Sequence, residues 1–210
     1  MSLPLIILGA GGHAKVLIDA LGTAAIIGLT DRDPAKAGLR VLGVPVIGTD
    51  DALVQYAAGT VELVNGLGTV RAGSQRQALF TRYQSKGYRF ATVVHRAAVI
   101  AREVVLGEGA QVMAGAILQP GCEIGENTLI NTRAAVDHDC RIGRHVHIAP
   151  AAILSGGVEV EDLAHIGAGA TVIQGIRIGA GSTVGAGAVV VRDVRAGVTV
   201  LGVPAKEIEQ

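Results

Sequence analysis

The chain has no tryptophan, and its two phenylalanines and three tyrosines all fall within the first ninety of its 210 residues. It has only two cysteines and no net formal charge. Each shortage excludes something. A balanced charge gives no electrostatic basis for binding nucleic acid or an anionic membrane surface. No uncharged apolar run reaches the length of a membrane span. The apolar stretch Leu3–Leu8 soon meets Gly9, Gly11 and Gly12, then Lys15 and Asp19. A secretory leader would open with basic residues and close on a small-residue cleavage site. A cytoplasmic protein without nucleic-acid or membrane partners is expected. Charge is as uneven as the aromatics: nine Lys/Arg face six Asp/Glu in residues 1–90, and nine face twelve in 91–210. Two differently built domains, 1–90 and 91–210, are expected.

What the second part has in abundance is regularity. From Val94 through Ile100, Leu106, Val112 and Leu118 to Val190, every sixth residue is aliphatic. That period is neither the 3.6 of a helix nor the 2 of a strand. It is an internal repeat, and repeats govern a fold. The fifth position of each hexad is small or β-branched, as at Ala110, Ala116, Cys122, Ala134 and Cys140. The second is often glycine (Gly107, Gly125, Gly143, Gly167, Gly179, Gly185), which suits a turn with unusual backbone angles. Three hexads would close one triangular coil, stacked on the next at about 4.8 Å and buried only against its neighbours. A β-sandwich is the alternative, but its turns vary in length and would break the frame. Cys122 and Cys140 stand one coil apart at the fifth position, so both are expected inside the coil as reduced thiols.

The first part opens with an apolar strand, Leu3–Leu8, then Gly9-Ala10-Gly11-Gly12-His13-Ala14 and a helical pattern to Leu21. This fits G-x-G-x-x-A, in which glycines let the backbone approach a phosphate at a helix N-terminus. Asp31 follows a second strand, Ala25–Leu29, about where a ribose-binding acid would sit. An NAD site and a nucleotide-sugar site both fit this loop, as does a glycine turn with no ligand. About ninety residues is roughly half a full dinucleotide fold, which favours the nucleotide sugar.

The hexads and the ending Val184-Gly185-Ala186-Gly187-Ala188 … Gly202-Val203-Pro204-Ala205-Lys206 resemble the left-handed β-helix acyltransferases that use acetyl-CoA. Across essentially its whole length the chain resembles one branch of them, which acetylates bacterial sugars. These include nucleotide-linked 4-amino-4,6-dideoxy sugars of the bacillosamine and perosamine types, and sialic acid. The resemblance implies an N-terminal Rossmann-like half-domain, α/β in class, followed by a left-handed parallel β-helix with a C-terminal cap. It implies Gly11, Gly12, His13, Asp31, Arg32 and Gly68 as contacts of the sugar nucleotide. Arg32 stands where some relatives carry an acid, which bears on the nucleotide, UDP, GDP or dTDP. It also implies a homotrimer with acetyl-CoA bound between neighbouring coils.

Acetyl transfer from a thioester needs a base for the attacking group and donors for the oxyanion. Of six histidines, His138 stands out in Val136-Asp137-His138-Asp139-Cys140, because a neighbouring carboxylate fixes an imidazole tautomer and stabilises the imidazolium. A solvated polar corner is the other reading of this stretch. The resemblance makes Asn131–Asp139 the catalytic segment, with His138 as general base and Asp139, where many relatives have Glu, supporting it. Gly156, eighteen residues on, should stack over His138, and the resemblance makes its N–H the oxyanion donor. It also implies that His147, Ala168 and Ala186 contact acetyl-CoA. His145 and His165 are expected at the surface, and His95 as a partly buried polar residue at the junction. No acyl-enzyme is expected, since both cysteines face the interior, and no metal, since no ligand spacing demands one. The leading function is N-acetylation of a nucleotide-linked 4-amino-4,6-dideoxy sugar. O-acetylation of a sialic-acid-type sugar, an NAD(P)-binding protein with a coil scaffold, and a solenoid that only organises partners are the competitors.

Overall fold

The structure is a computed structural model, and it describes residues 3–22, 24–69 and 75–208. It divides into two compact units. One holds the chain up to Gly68 and again from Gln75 to Val93, and the other begins at Val94.

The first unit is a twisted α/β sheet. Its elements are β1 (Leu5–Leu8), α1 (Gly12–Leu21), β2 (Ile26–Thr30), β3 (Arg40–Val41), β4 (Val44–Gly48), β5 (Glu62–Asn65), α2 (Gln75–Gln84) and β6 (Arg89–Phe90). The sheet order is β3-β4-β2-β1-β5-β6, and only β3 runs antiparallel to its neighbour. All four residues of β1 are buried, as a central parallel strand covered on both faces requires. Its core gathers Ile6, Leu8, Leu63, Leu79, Phe80, Tyr83 and Phe90, so the scarce aromatics serve this unit.

The second unit is the coil. Two-residue strands stack in parallel in three sheets, each strand pairing with the one eighteen residues on. The first face runs through Gln111–Val112, Leu129–Ile130, His147–Ile148 and His165–Ile166. The second runs through Val99–Ile100, Ile117–Leu118, Ala135–Val136, Ile153–Leu154, Thr171–Val172 and Val189–Val190. The third runs through Val105–Leu106, Glu123–Ile124, Arg141–Ile142, Glu159–Val160 and Arg177–Ile178. First and fifth hexad positions fill one continuous core, from Ala110 and Val112 to Ala188 and Val190. Burying each Leu or Ile there contributes about 2–3 kcal/mol.

The corners correct one expectation. The left-handed backbone falls at the fourth hexad position, not the second. Glu103, Gly109, Gly115, Gly121, Asn127, Arg133, Asp139, His145, Ala151 and Gly157 all have φ between 53° and 77°, as the third residue of a type II turn does. The second-position glycines answer a different need. A Cβ on Gly125 would come within 2.5 Å of Gly143 backbone atoms, and one on Gly179 within 2.4 Å of the Ala196 nitrogen. They let the next coil approach.

Candidate functional site

In the first unit the two glycine segments interlock. Gly66 N–H donates to Leu8 O at 2.9 Å, and a Cβ on Gly66 would meet Leu8 O at 2.8 Å and Gly9 O at 3.0 Å. Gly68 lies beside His13. Gly11 and Gly12 differ: a Cβ on either would meet nothing within 4 Å, and neither has positive φ. The protein's own packing does not require glycine there. Gly11 caps α1 without a side-chain hydrogen bond, and the first turn carries no acid, so no side chain of that turn offsets the positive end of the helix.

Asp31 is tied inward. Its carboxylate accepts from Ala10 N–H at 3.1 Å, Asp33 N–H at 3.0 Å and Lys36 Nζ at 2.8 Å. Burial pushes its pKa up, but the hydrogen bonds from Lys36, Asp33 and Ala10 outweigh it and hold the carboxyl below its ordinary value. Asp31 thereby braces the glycine loop against the end of β2. It lines a cavity of about 130 Å³ together with Gly9, Arg32, Asp50, Leu67 and Gln75. Arg32 is exposed at its edge.

In the second unit, His138 occupies the corner that follows the second face. Its Nδ1 lies 2.9 Å from Asp139 Oδ2, and its backbone N–H donates to Asp137 Oδ1 at 2.8 Å. The two carboxylates thus divide the work, Asp139 holding the ring and Asp137 the backbone. Asp139 can reach back because it holds the left-handed fourth position (φ 59°), where its neighbours one coil away are Gly121 and Gly157. A Cβ on Gly121 would meet Asp139 Oδ1 at 2.6 Å, so Gly121 makes room for the carboxylate. Asp139 raises the His138 pKa above the ordinary histidine value, aided by the Asp137 charge. With Nδ1–H donated to Asp139, Nε2 carries the lone pair.

Gly156 stacks on His138, as the eighteen-residue spacing anticipates. A Cβ on Gly156 would stand 2.5 Å from both Cε1 and Nε2 of the imidazole. Gly157 N–H donates to His138 O at 2.9 Å. Gly156 is buried, and its N–H meets no acceptor among the described residues.

Other expected residues lie elsewhere. Ala168 and Ala186 are exposed and stack on adjacent coils at the opposite edge of the second face, where Gly187 N–H donates to Ala168 O. His147 is buried on the first face, its Nε2 lying 3.1 Å from Asn131 Nδ2. One chain therefore separates His138 and Gly156 from Ala168, Ala186 and His147. His165 corrects an expectation: it is 5 % exposed, its ring centroid lies 4.9 Å from that of His147, and burial lowers its pKa. It is outward-pointing yet covered, which a hexad pattern alone does not reveal. His145 is half-buried at a corner, 2.9 Å from Asn127 Nδ2. His95 is half-buried and accepts from Ala97 N–H.

Both thiols lie inside the coil. Cys122 Sγ donates to Asp137 O at 3.0 Å and Cys140 Sγ to Ser155 O at 3.2 Å. Burial pushes the Cys140 pKa up to about 12 and raises that of Cys122, which disfavours a thiolate nucleophile. Among the described residues no group of three or more His, Cys, Asp or Glu could hold a metal ion, and no helix is long and apolar enough to cross a membrane.

Residues 4–82 match the PglD N-terminal domain family, and residues 121–156 match the bacterial transferase hexapeptide (six repeats) family. Among solved structures, PerB from Caulobacter crescentus, in complex with CoA and GDP-perosamine, is 42% identical, with 98% of this chain and 97% of that one covered and a TM-score of 0.90. The acetyltransferase domain of PglB from Neisseria gonorrhoeae, in complex with acetyl coenzyme A, is 34% identical, covering 99% of this chain and 100% of that one, with a TM-score of 0.89. WeeI from Acinetobacter baumannii is 29% identical, with 99% and 100% covered and a TM-score of 0.86. No curated protein sequence matches significantly.

Proposed function

Because the chain belongs to the left-handed β-helix acetyltransferases that use acetyl-CoA, we propose that it acetylates the 4-amino group of a nucleotide-linked 4-amino-4,6-dideoxy sugar. The observation that carries the reading is the His138 imidazole, braced by Asp139 at Nδ1 and seated on Gly156. His138 Nε2 takes the proton from the sugar amine as the amine nitrogen bonds to the acetyl carbonyl carbon. Gly156 N–H donates to the resulting oxyanion. The intermediate collapses with cleavage of the C–S bond, and the proton passes to the departing CoA thiolate. The raised His138 pKa makes the imidazolium a ready carrier of that proton. The Caulobacter relative, a GDP-perosamine N-acetyltransferase, supports N- over O-acetylation.

Gly11 and Gly12 would receive the diphosphate at the start of α1, with Asp31, Arg32, His13 and Gly68 around the nucleotide sugar. The Caulobacter relative, crystallised with a GDP-sugar, supports a GDP-linked substrate. The active unit is a homotrimer, with acetyl-CoA held between coils by His147, Ala168 and Ala186. Two observations support this. Val99, Ile117 and Ile153 leave the second face apolar and exposed, and the exposed Ile173 and Val191 follow directly on its last two strands. Ala168 and Ala186 also stand on the far edge of that face from His138, and His147 on the first face beyond it, so a neighbouring coil is needed to complete the site. A thiol-release assay with acetyl-CoA and a panel of UDP-, GDP- and dTDP-linked amino sugars tests the reading. Turnover is expected with one 4-amino sugar nucleotide, and failure on the whole panel would overturn it.

A further inference from the structure

Helix α2 carries a charge that the sequence gives no reason to bury. Arg76 is 5 % exposed, and burial lowers its pKa to about 10, so it stays charged at neutral pH. Holding a guanidinium in such a place is costly unless its donors are used. Its Nη1 donates to Asn65 O at 3.2 Å and also to Leu67 O. Asn65 answers in kind: its Nδ2 donates to Arg76 O at 3.0 Å, while its Oδ1 accepts from Leu67 N–H at 3.3 Å. The result is a reciprocal clamp between the end of β5 and the first turn of α2. Between its jaws runs Gly66-Leu67-Gly68, the segment that packs backbone to backbone against Gly9 and reaches His13.

We infer that Arg76 is a positioning residue for the sugar-nucleotide site. Together with Asn65 it sets the Gly66–Gly68 segment, and through Gly9 it sets the glycine loop that receives the diphosphate. The inference rests on the nucleotide-sugar reading above. Its physical content is rigidity. One guanidinium nitrogen, Nη1, reaches both carbonyls from the rigid plane of a buried arginine, and the freely rotating, more strongly hydrated ammonium of a lysine does not hold that geometry. The two glycine segments have no side chains of their own to fix them.

The test uses the full-length protein. GDP, UDP and dTDP are titrated calorimetrically into wild type, Arg76→Lys and Asn65→Ser, and acetyl-CoA is titrated into each as a control. Steady-state KM values are measured for both substrates. Each variant is expected to weaken nucleotide binding and raise the sugar-nucleotide KM by about tenfold to a hundredfold, leaving the acetyl-CoA affinity and KM unchanged. The double variant should cost no more than the worse single one, because both break one clamp. A merely structural role would lower the melting temperature and active fraction but leave the KM of the folded remainder unmoved, and that result overturns the inference. Wild type that binds none of the three nucleotides overturns the nucleotide-sugar reading, and the clamp with it. Should Arg76→Lys fail to fold, the same KM comparison on Asn65→Ser decides.

Discussion

The second and third faces of the coil share one backbone and one repeat, yet their outward residues have little in common. The second presents Val99, Ile117 and Ile153, all exposed, with His138 at one edge and Ala168 and Ala186 at the other. After an exposed Val105 in its first strand, the third presents Glu123, Arg141, Glu159 and Arg177, alternating in sign along the stack. Its Glu161 pairs with Arg177, and Arg144 with Asp162 at 2.9 Å. The inward residues of both faces are interchangeable aliphatics. The fold is therefore indifferent to which face does what, and only the outward row distinguishes the apolar face from the charged one.

The sharpest way to break this comparison is at the edge of the second face. Changing His138 to Ala should lower kcat/KM by about 10²–10⁴-fold with acetyl-CoA affinity retained, whereas Glu159→Gln on the third face should leave the rate unchanged and stability within about 0.5 kcal/mol. Next comes assembly. Ile153→Glu sets a charge in the apolar second face, and sedimentation should then report monomer with activity lost, while Arg141→Ala sediments as wild type. A wild-type protein that is monomeric and fully active would remove the interface from the account.

Gly156→Ala is expected to cost about 10–100-fold. The new methyl would have to displace the imidazole that lies 2.5 Å from its position. The coil itself should persist, because the exposed ring can swing outward; circular dichroism and the pH–rate profile check both points. Asp139→Asn acts through charge. Asp139 is the main cause of the raised His138 pKa, and a base works only when neutral, so the acidic limb of kcat/KM should lie above pH 6.5 in the wild type. In the Asn variant it should move to lower pH while the rate falls.

The smallest effect belongs to the first face. Burial depresses the His165 pKa from 6.5. Above that pH the folded and unfolded chains are both neutral there, and His165 adds no pH dependence. As the pH falls below 6.5, the unfolded chain takes up a proton that the folded chain refuses, so stability declines. His165→Gln should flatten this part of the melting-temperature profile, and an unchanged slope would count against a buried neutral imidazole.

The hexad frame was legible at the level of single residues. It named the inward positions, placed Gly156 over His138 and put both cysteines in the core. It misread two things for one physical reason: a period along the chain says nothing about what lies outside it. The second-position glycines yield to the coil above, not to a turn, and the left-handed corner lies two residues further on, tolerated by Asn127, Arg133, Asp139 and His145 as well as by glycine. His165 reads as an outward polar residue and is covered. In the first unit the glycine loop was visible, but Asp31 spends its carboxylate on Ala10, Asp33 and Lys36. Arg76 had no signal at all, since a lone arginine between Gln75 and Gln77 gives no hint of burial.

In the proposed reaction the imidazole at the edge of the second face takes the proton from a sugar amine. The most direct measurement is single-turnover acetyl transfer to the accepted nucleotide-linked amino sugar by wild type and His138→Ala, each saturated with acetyl-CoA, as pH is varied. The wild-type rate is expected to rise with pH through a limb above 6.5, and the His138→Ala rate to be about 10²-fold slower or more and to lack that limb. A variant that keeps both the rate and the limb would contradict it.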